Sequence, residues 1–120
     1  MSESELLSEL IGMIYDAALD PELWPGVMER GCGFLSCVTG SLGSIVFASG
    51  AMDLDISWGY DPHYAKLYLD HYAHINPMIP ATLRAPVGQV DTVISAMPYD
   101  EFLKSQLFLE WGKPQGYIDA

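Results

Sequence analysis

The longest stretch of this chain that reads as β-structure is "LGSIVFASGAMDLDISWGY", residues 42–60, and it limits the fold more than any other feature. "LGSIVFAS" (42–49) is rich in β-formers and bounded by glycines, and Ser49-Gly50-Ala51 supplies a turn. "MDLDISWGY" then alternates, with Leu54, Ile56 and Trp58 on one side and Asp53, Asp55 and Ser57 on the other. That alternation predicts a strand with one wet face, paired with its predecessor as a hairpin. A short third strand is expected in "GQVDTVI" (88–94). So small a sheet, covered by helices on one face, leaves an edge unpaired, which calls for more chain or for a partner.

Helical periods surround this hairpin. Leu6, Leu7, Leu10, Ile11, Ile14 and Ala18 recur at three- and four-residue steps within residues 2–19, and Ser2 with Glu5 has the spacing of a capping box. Asp20 is the expected N-cap of a turn with Pro21 at its first position, followed by a helix over 25–34. A third helix spans 62–75 and Pro77 closes it. "NPMIPATLRAPVG" carries three prolines and reads as a loop or short irregular helix. The last helix runs over 99–111, stopped by "GKPQG". The resulting order is helix, helix, strand, strand, helix, strand, helix, an α+β arrangement in one domain over 1–120.

Charge excludes several classes of partner. Five Lys+Arg stand against sixteen Asp+Glu, for a net charge of −11 and a pI near 4.2. Nucleic-acid backbones are bound by cationic side chains that release counterions, so this chain is not expected to touch DNA or RNA directly. Anionic membranes are disfavoured on the same ground. The acidic "MSESELLSEL" is unlike a basic secretory leader, and runs such as "SIVFA" fall far short of a membrane span, so a cytoplasmic protein is expected. Cys32 and Cys37, in "GCGFLSC", read as two reduced thiols near a helix end. A redox pair is the lesser alternative, because the spacing is not that of a thioredoxin-like motif and no basic residue nearby would lower a thiol pKa. Zinc would need more ligands than these.

The residues with the most chemistry lie in "GYDPHYAKLYLDHYAHINP" (59–77), with three histidines and a run of tyrosines on one short helix. At about 100° per residue, Leu67, His71, Tyr64, Ile75, Tyr68 and Tyr72 share one arc about 140° wide. Tyr64, Tyr68 and Tyr72 are each four apart and make one ridge. His71 and His74 are close enough to share an ion, but His63 lies about 16 Å along the axis from His74. Two histidines are half a metal site, and no metal is expected. A tyrosine ridge suits either the wall of a small-molecule pocket, part apolar and part polar, or a stripe half-covered by neighbouring elements. Ser41, Ser44 and Ser49 sit in no nucleophile elbow, and no glycine-rich phosphate loop is present, so neither enzymatic activity nor a cofactor is expected.

Taken as a set, "IYDAALDPELWPGVMERG", "GYDPHYAKLYLDHYAHINPMIP", "PVGQV" and "SQLFLEWGKPQG" resemble the N-terminal sensory region of bacterial LuxR-type helix-turn-helix transcriptional regulators. The most specific parts are Asp20-Pro21 with Leu23-Trp24-Pro25, then Tyr68 through Tyr72, then Ser105 through Gly116. The resemblance implies a PAS- or GAF-like antiparallel sheet with helices packed around a cavity, here ending before the C-terminal strands of such domains. It further implies a homodimer and a small, mostly apolar ligand, with DNA contacted only through a separate helix-turn-helix domain. In the similar acyl-homoserine-lactone receptors, aromatic residues four apart followed by Asp-Pro contact the signal. Tyr64, Tyr68 and Asn76-Pro77 resemble that pattern, with tyrosine in place of a tryptophan and Asn76 in place of the acid. The expected ligand-binding set is Tyr64, Tyr68, His71, Tyr72 and Asn76, with Trp58, Phe108 and Trp111 as further walls. A ligand-free interaction module that assembles through its sheet edge is the competing expectation.

Overall fold

The computed structural model describes residues 1–118, with the side chains of residues 54 and 55 left aside. The expected facing of Leu54 and Asp55 therefore lies outside the described residues. The protein is α+β, and its chain divides into two compact units, Met1–Asp61 and Pro62–Ala120.

The first unit begins with α1 (Glu3–Leu19). Its N-terminus is held by the capping box the spacing predicts: Glu5 N–H donates to Ser2 Oγ at 3.2 Å, and Ser2 N–H donates to Glu5 Oε2 at 3.1 Å. Two orphan amides are thereby satisfied, and the two acids of the first turn suit the positive end of the helix dipole. Asp20 then stops α1 and starts a 3₁₀ turn, Pro21–Leu23, its carboxylate accepting from Glu22 N–H at 3.2 Å. The second helix, α2 (Trp24–Leu35), begins one residue before the expected start. It packs on α1, with Arg30 paired to Glu9, and Ala17, Val27 and Cys32 are buried.

The sheet is the predicted hairpin, β1 (Gly40–Ile45) antiparallel to β2 (Met52–Trp58). Its register slips between Leu42 and Gly43, which marks a β-bulge. Ile56 and Trp58 are half-buried while Asp53 and Ser57 are exposed, as the alternation requires. Strand β1 starts two residues earlier than expected and stops four earlier, because residues 46–51 close on themselves. Val46 N–H donates to Ala51 O at 2.9 Å, and Gly50, in the left-handed region, donates to Val46 O at 2.8 Å.

The second unit is helical. A rod runs from α3 (Pro62–Leu67) through a π turn (Tyr68–Tyr72) into a 3₁₀ turn (Ala73–Ile75), matching the expected span of 62–75. It is followed by α4 (Met78–Arg84), α5 (Val93–Ala96) and α6 (Tyr99–Leu103). After α6 come a second π turn (Phe108–Gly112) and a 3₁₀ turn (Lys113–Gln115). Ala73, Val93, Phe102, Leu107 and Trp111 form the buried core.

Two expectations are corrected here. The third strand in residues 88–94 is not formed; that segment is a turn with Gly88 at φ 89°, then the start of α5. Its valines could not serve a sheet without a neighbouring strand: Val90 is exposed, and Val93 goes into the helical core. A second capping box decides the matter. Ser95 N–H donates to Thr92 Oγ1 at 3.2 Å, Thr92 N–H to Ser95 Oγ at 2.8 Å, and the turn so formed buries Val93 completely. The helix expected over 99–111 is also broken, at Lys104–Ser105. There the Ser105 hydroxyl donates to Phe102 O at 2.6 Å and accepts from Phe108 N–H at 3.2 Å, closing one helix and opening the next. Among the described residues, no helix is long and apolar enough to cross a membrane.

Candidate functional site

π turns are rare, and where they occur they often mark functional positions. The second unit has two, and they touch. The ring of Tyr68, first residue of one, lies 5.3 Å from the ring of Trp111 in the other, tilted by 47°. Trp111 Nε1–H donates to the backbone carbonyl of Tyr64 at 2.7 Å, fastening the second π turn to the last turn of α3. Tyr72 Oη–H donates to Glu110 Oε1 at 3.1 Å. Asn76 Nδ2–H donates to Tyr68 Oη at 2.9 Å, while Asn76 Oδ1 accepts from Met78 N–H at 2.9 Å and so anchors the start of α4. Tyr117 packs edge-on to Trp111 at 5.6 Å, reached through a reversal at Gly116, whose φ is 80°.

The π turn explains which expected residues reach this cluster. An i→i+5 turn carries more residues per revolution than an α turn, so positions four apart stay in line through it. The covered face accordingly reads Tyr64, Tyr68, Tyr72 and Asn76, all half-buried, with half-buried Ala65, Leu67 and Leu69 and buried Ala73 beside it. His71 and Ile75, which a period of 3.6 places on the stripe, are turned out to solvent. His71 therefore lies off the cluster, its ring edge-on to Tyr72 at 6.4 Å.

Of the other expected residues, Trp111 is buried at the centre. Phe108 is half-buried but packs on Phe102, at 5.5 Å, and belongs to the hydrophobic core of the unit. Trp58 lies on β2 in the first unit. Glu110 and Tyr117 were missed by sequence reasoning. Glu110 looks like one more solvated acid, and Tyr117 joins only because of the backbone reversal at Gly116.

The chemistry of the cluster is that of phenol, indole, amide and carboxylate groups which already satisfy one another. Partial removal from water, together with the Glu110 carboxylate that accepts its hydrogen bond, holds the Tyr72 phenol above its ordinary value of 10.0. On the solvent side, Lys66 and Asp70 pair at 2.6 Å, a hydrogen bond that lowers the Asp70 carboxyl. No group of three His, Cys, Asp or Glu side chains among the described residues is placed to hold a metal ion.

A titration tests the Tyr72–Glu110 pair. Because the folded value is raised, the stabilisation linked to this phenol is complete below about pH 10 and is lost as pH climbs through the folded value. In an ultraviolet titration of the folded protein, a late tyrosine step should be missing from the Tyr72→Phe variant, and Glu110→Gln should move that step to lower pH. A step unmoved by Glu110→Gln would remove the carboxylate from the explanation.

Comparison with protein-family models, with curated proteins and with solved structures gives no match to this chain.

Proposed function

We propose that this chain is the small-molecule-sensing and dimerisation module of a LuxR-type bacterial transcriptional regulator, working in the cytoplasm with DNA contacted by a helix-turn-helix domain and not by this acidic surface. The observation that carries the reading is the pair of facing π turns around Tyr68 and Trp111. They lie in two of the segments, Tyr68 through Tyr72 and Ser105 through Gly116, where the sequence most resembles that family. The half-buried rings of Tyr64, Tyr68 and Tyr72 offer apolar faces, and Asn76 and Glu110 offer polar groups that orient a ligand. A ligand that competes for the Asn76–Tyr68 or Tyr72–Glu110 bond changes how the rod is tied to α4 and to the second π turn. Binding energy released in that way favours one packing of the rod over others and hence shifts the pairing of protomers.

The test is a thermal-shift screen of the protein against small lactones, amides and aromatic acids. A saturable rise in melting temperature that is lost in Tyr68→Phe, a change that removes only the hydroxyl, supports the reading. Silence across the panel, with Tyr68→Phe melting as the parent does, counts against it.

A second reading is an interaction module that binds no small molecule. What favours it is the apolar surface of α1, where Leu7, Ile11 and Ile14 are all exposed at helical spacing. It requires stable self-association without ligand, so a monomer in sedimentation at tens of micromolar, an order-of-magnitude choice for a weak dimer, would reject it.

A further inference from the structure

The C-terminus of α2 ends in a defined cap. Ser36 has φ 57° and ψ 37°, the sole left-handed non-glycine among the described residues. Its N–H donates to Gly33 O at 3.4 Å, and the next N–H, of Cys37, donates to Cys32 O at 2.8 Å. These two bonds are the Schellman motif. The motif brings together the side chains of two positions, the third residue from the helix end and the second residue beyond it, where an apolar contact usually forms. In this protein those two positions are Cys32 and Cys37.

We propose that Cys32 and Cys37 are a redox-modifiable pair that closes to an intrachain disulfide under a hydroperoxide. Geometry supports closure without unwinding the helix. With Cys37 N and Cys32 O at 2.8 Å, covalent lengths hold the two Cα atoms to no more than about 6.7 Å, inside the range that disulfides span. The sulfurs also differ in role. Cys37 is exposed, its Sγ 3.8 Å from Leu35 O, whereas Cys32 is buried. A Cβ at Gly40 would lie 2.7 Å from Cys32 Sγ, so this sulfur rests against the first residue of β1. Burial and the neighbouring Cys37 push the Cys32 thiol up, which keeps it protonated in the resting state.

Cys37 therefore meets the oxidant first. Its sulfur attacks one peroxide oxygen, the O–O bond breaks, and water leaves as the sulfenic acid forms. Cys32 sulfur then displaces the hydroxyl of that sulfenic acid, its proton leaving with the oxygen as a second water. Two thiols and one hydrogen peroxide thus give one disulfide and two waters. Forming the bond draws Cys32 sulfur toward the cap and away from Gly40, so oxidation is felt at the start of the hairpin.

The experiment treats the reduced full chain with hydrogen peroxide and follows thiol titre, intact mass and non-reducing peptide mapping. The expected result is loss of both thiols, a mass lower by two hydrogens, a peptide joining residues 32 and 37, and recovery with a dithiol reductant. Cys32→Ser should accumulate a sulfenic acid at Cys37 that dimedone traps, and Cys37→Ser should keep its remaining thiol far longer. The proposal is overturned by persistence of both thiols. It is equally overturned by a disulfide joining two chains, or by sulfinic acid at Cys37 with the Cys32 thiol intact.

Discussion

Replacing Trp111 with alanine is expected to destabilise the protein by about 3–5 kcal/mol, the range for deleting a large buried aromatic. Trp111 is 7 % exposed, and three separate ties end on its side chain. Its ring lies against Tyr68 and Tyr117, and its indole N–H holds the carbonyl of Tyr64. Trp111→Phe separates these contributions. It keeps most of the ring contact and loses the hydrogen bond, leaving a carbonyl beside the π turn short of a donor, for a cost of about 1–3 kcal/mol. Urea denaturation of the three proteins gives the ordering directly. Parent-like stability of the alanine variant would mean that the two π turns are not held together through this residue.

The second large effect is expected at Gly59. Its φ is 82°, and an added Cβ would sit 2.3 Å from the carbonyl oxygen of Val38 and 3.3 Å from Thr39 Cα. Both neighbours are backbone, so no side chain can swing away to relieve the overlap. Gly59→Ala should therefore cost about 2–4 kcal/mol, combining an unfavourable left-handed conformation with displacement of the chain leading into β1. Gly50 is the natural control, since its φ is 70° but nothing lies within 4 Å of its Cβ position. Gly50→Ala should cost only about 1 kcal/mol, for conformation alone. Equal losses at the two positions would show that the close approach of residues 38 and 59 does not matter. Differential scanning calorimetry of both variants reads the difference.

How legible the fold was from sequence depended on whether its signals were local. Ser2 with Glu5, and Asp20 with the Glu22 amide just after Pro21, set helix ends through bonds spanning two or three residues, and both are formed. The hairpin and the rod over 62–75 follow from period and from bounding glycines and prolines, and the structure has both. The third strand failed because β-propensity expresses a pleated, half-buried surface, and Val90 has no such surface. The hydroxyl pair at Thr92 and Ser95 was the signal to weigh instead.

The candidate site was legible in part. Tyr64, Tyr68, Tyr72, Asn76 and Trp111 come together in one cluster. His71 does not join it, and Phe108 turns to the core beside Phe102. The error at His71 has one source, the assumption of 3.6 residues per turn across a segment that winds more slowly. Nothing in the composition of "YLDHY" announces such a turn. It goes with a contact that is remote in sequence, the Trp111 indole N–H donating to the Tyr64 carbonyl of the preceding turn.

The slow winding also makes the rod tolerant of losing one residue in a way that ordinary helices are not. A π turn is an α-helix carrying one surplus residue, so excising a single position between Tyr68 and Tyr72 would let the backbone relax to its common pitch. Asn76 would then stand seven positions from Tyr68, about 700° of α-helical rotation, and so would keep its side of the rod and its reach to the Tyr68 hydroxyl. An added residue has no such remedy: it would turn Asn76 by about 100° more and untie α4 from the aromatic face.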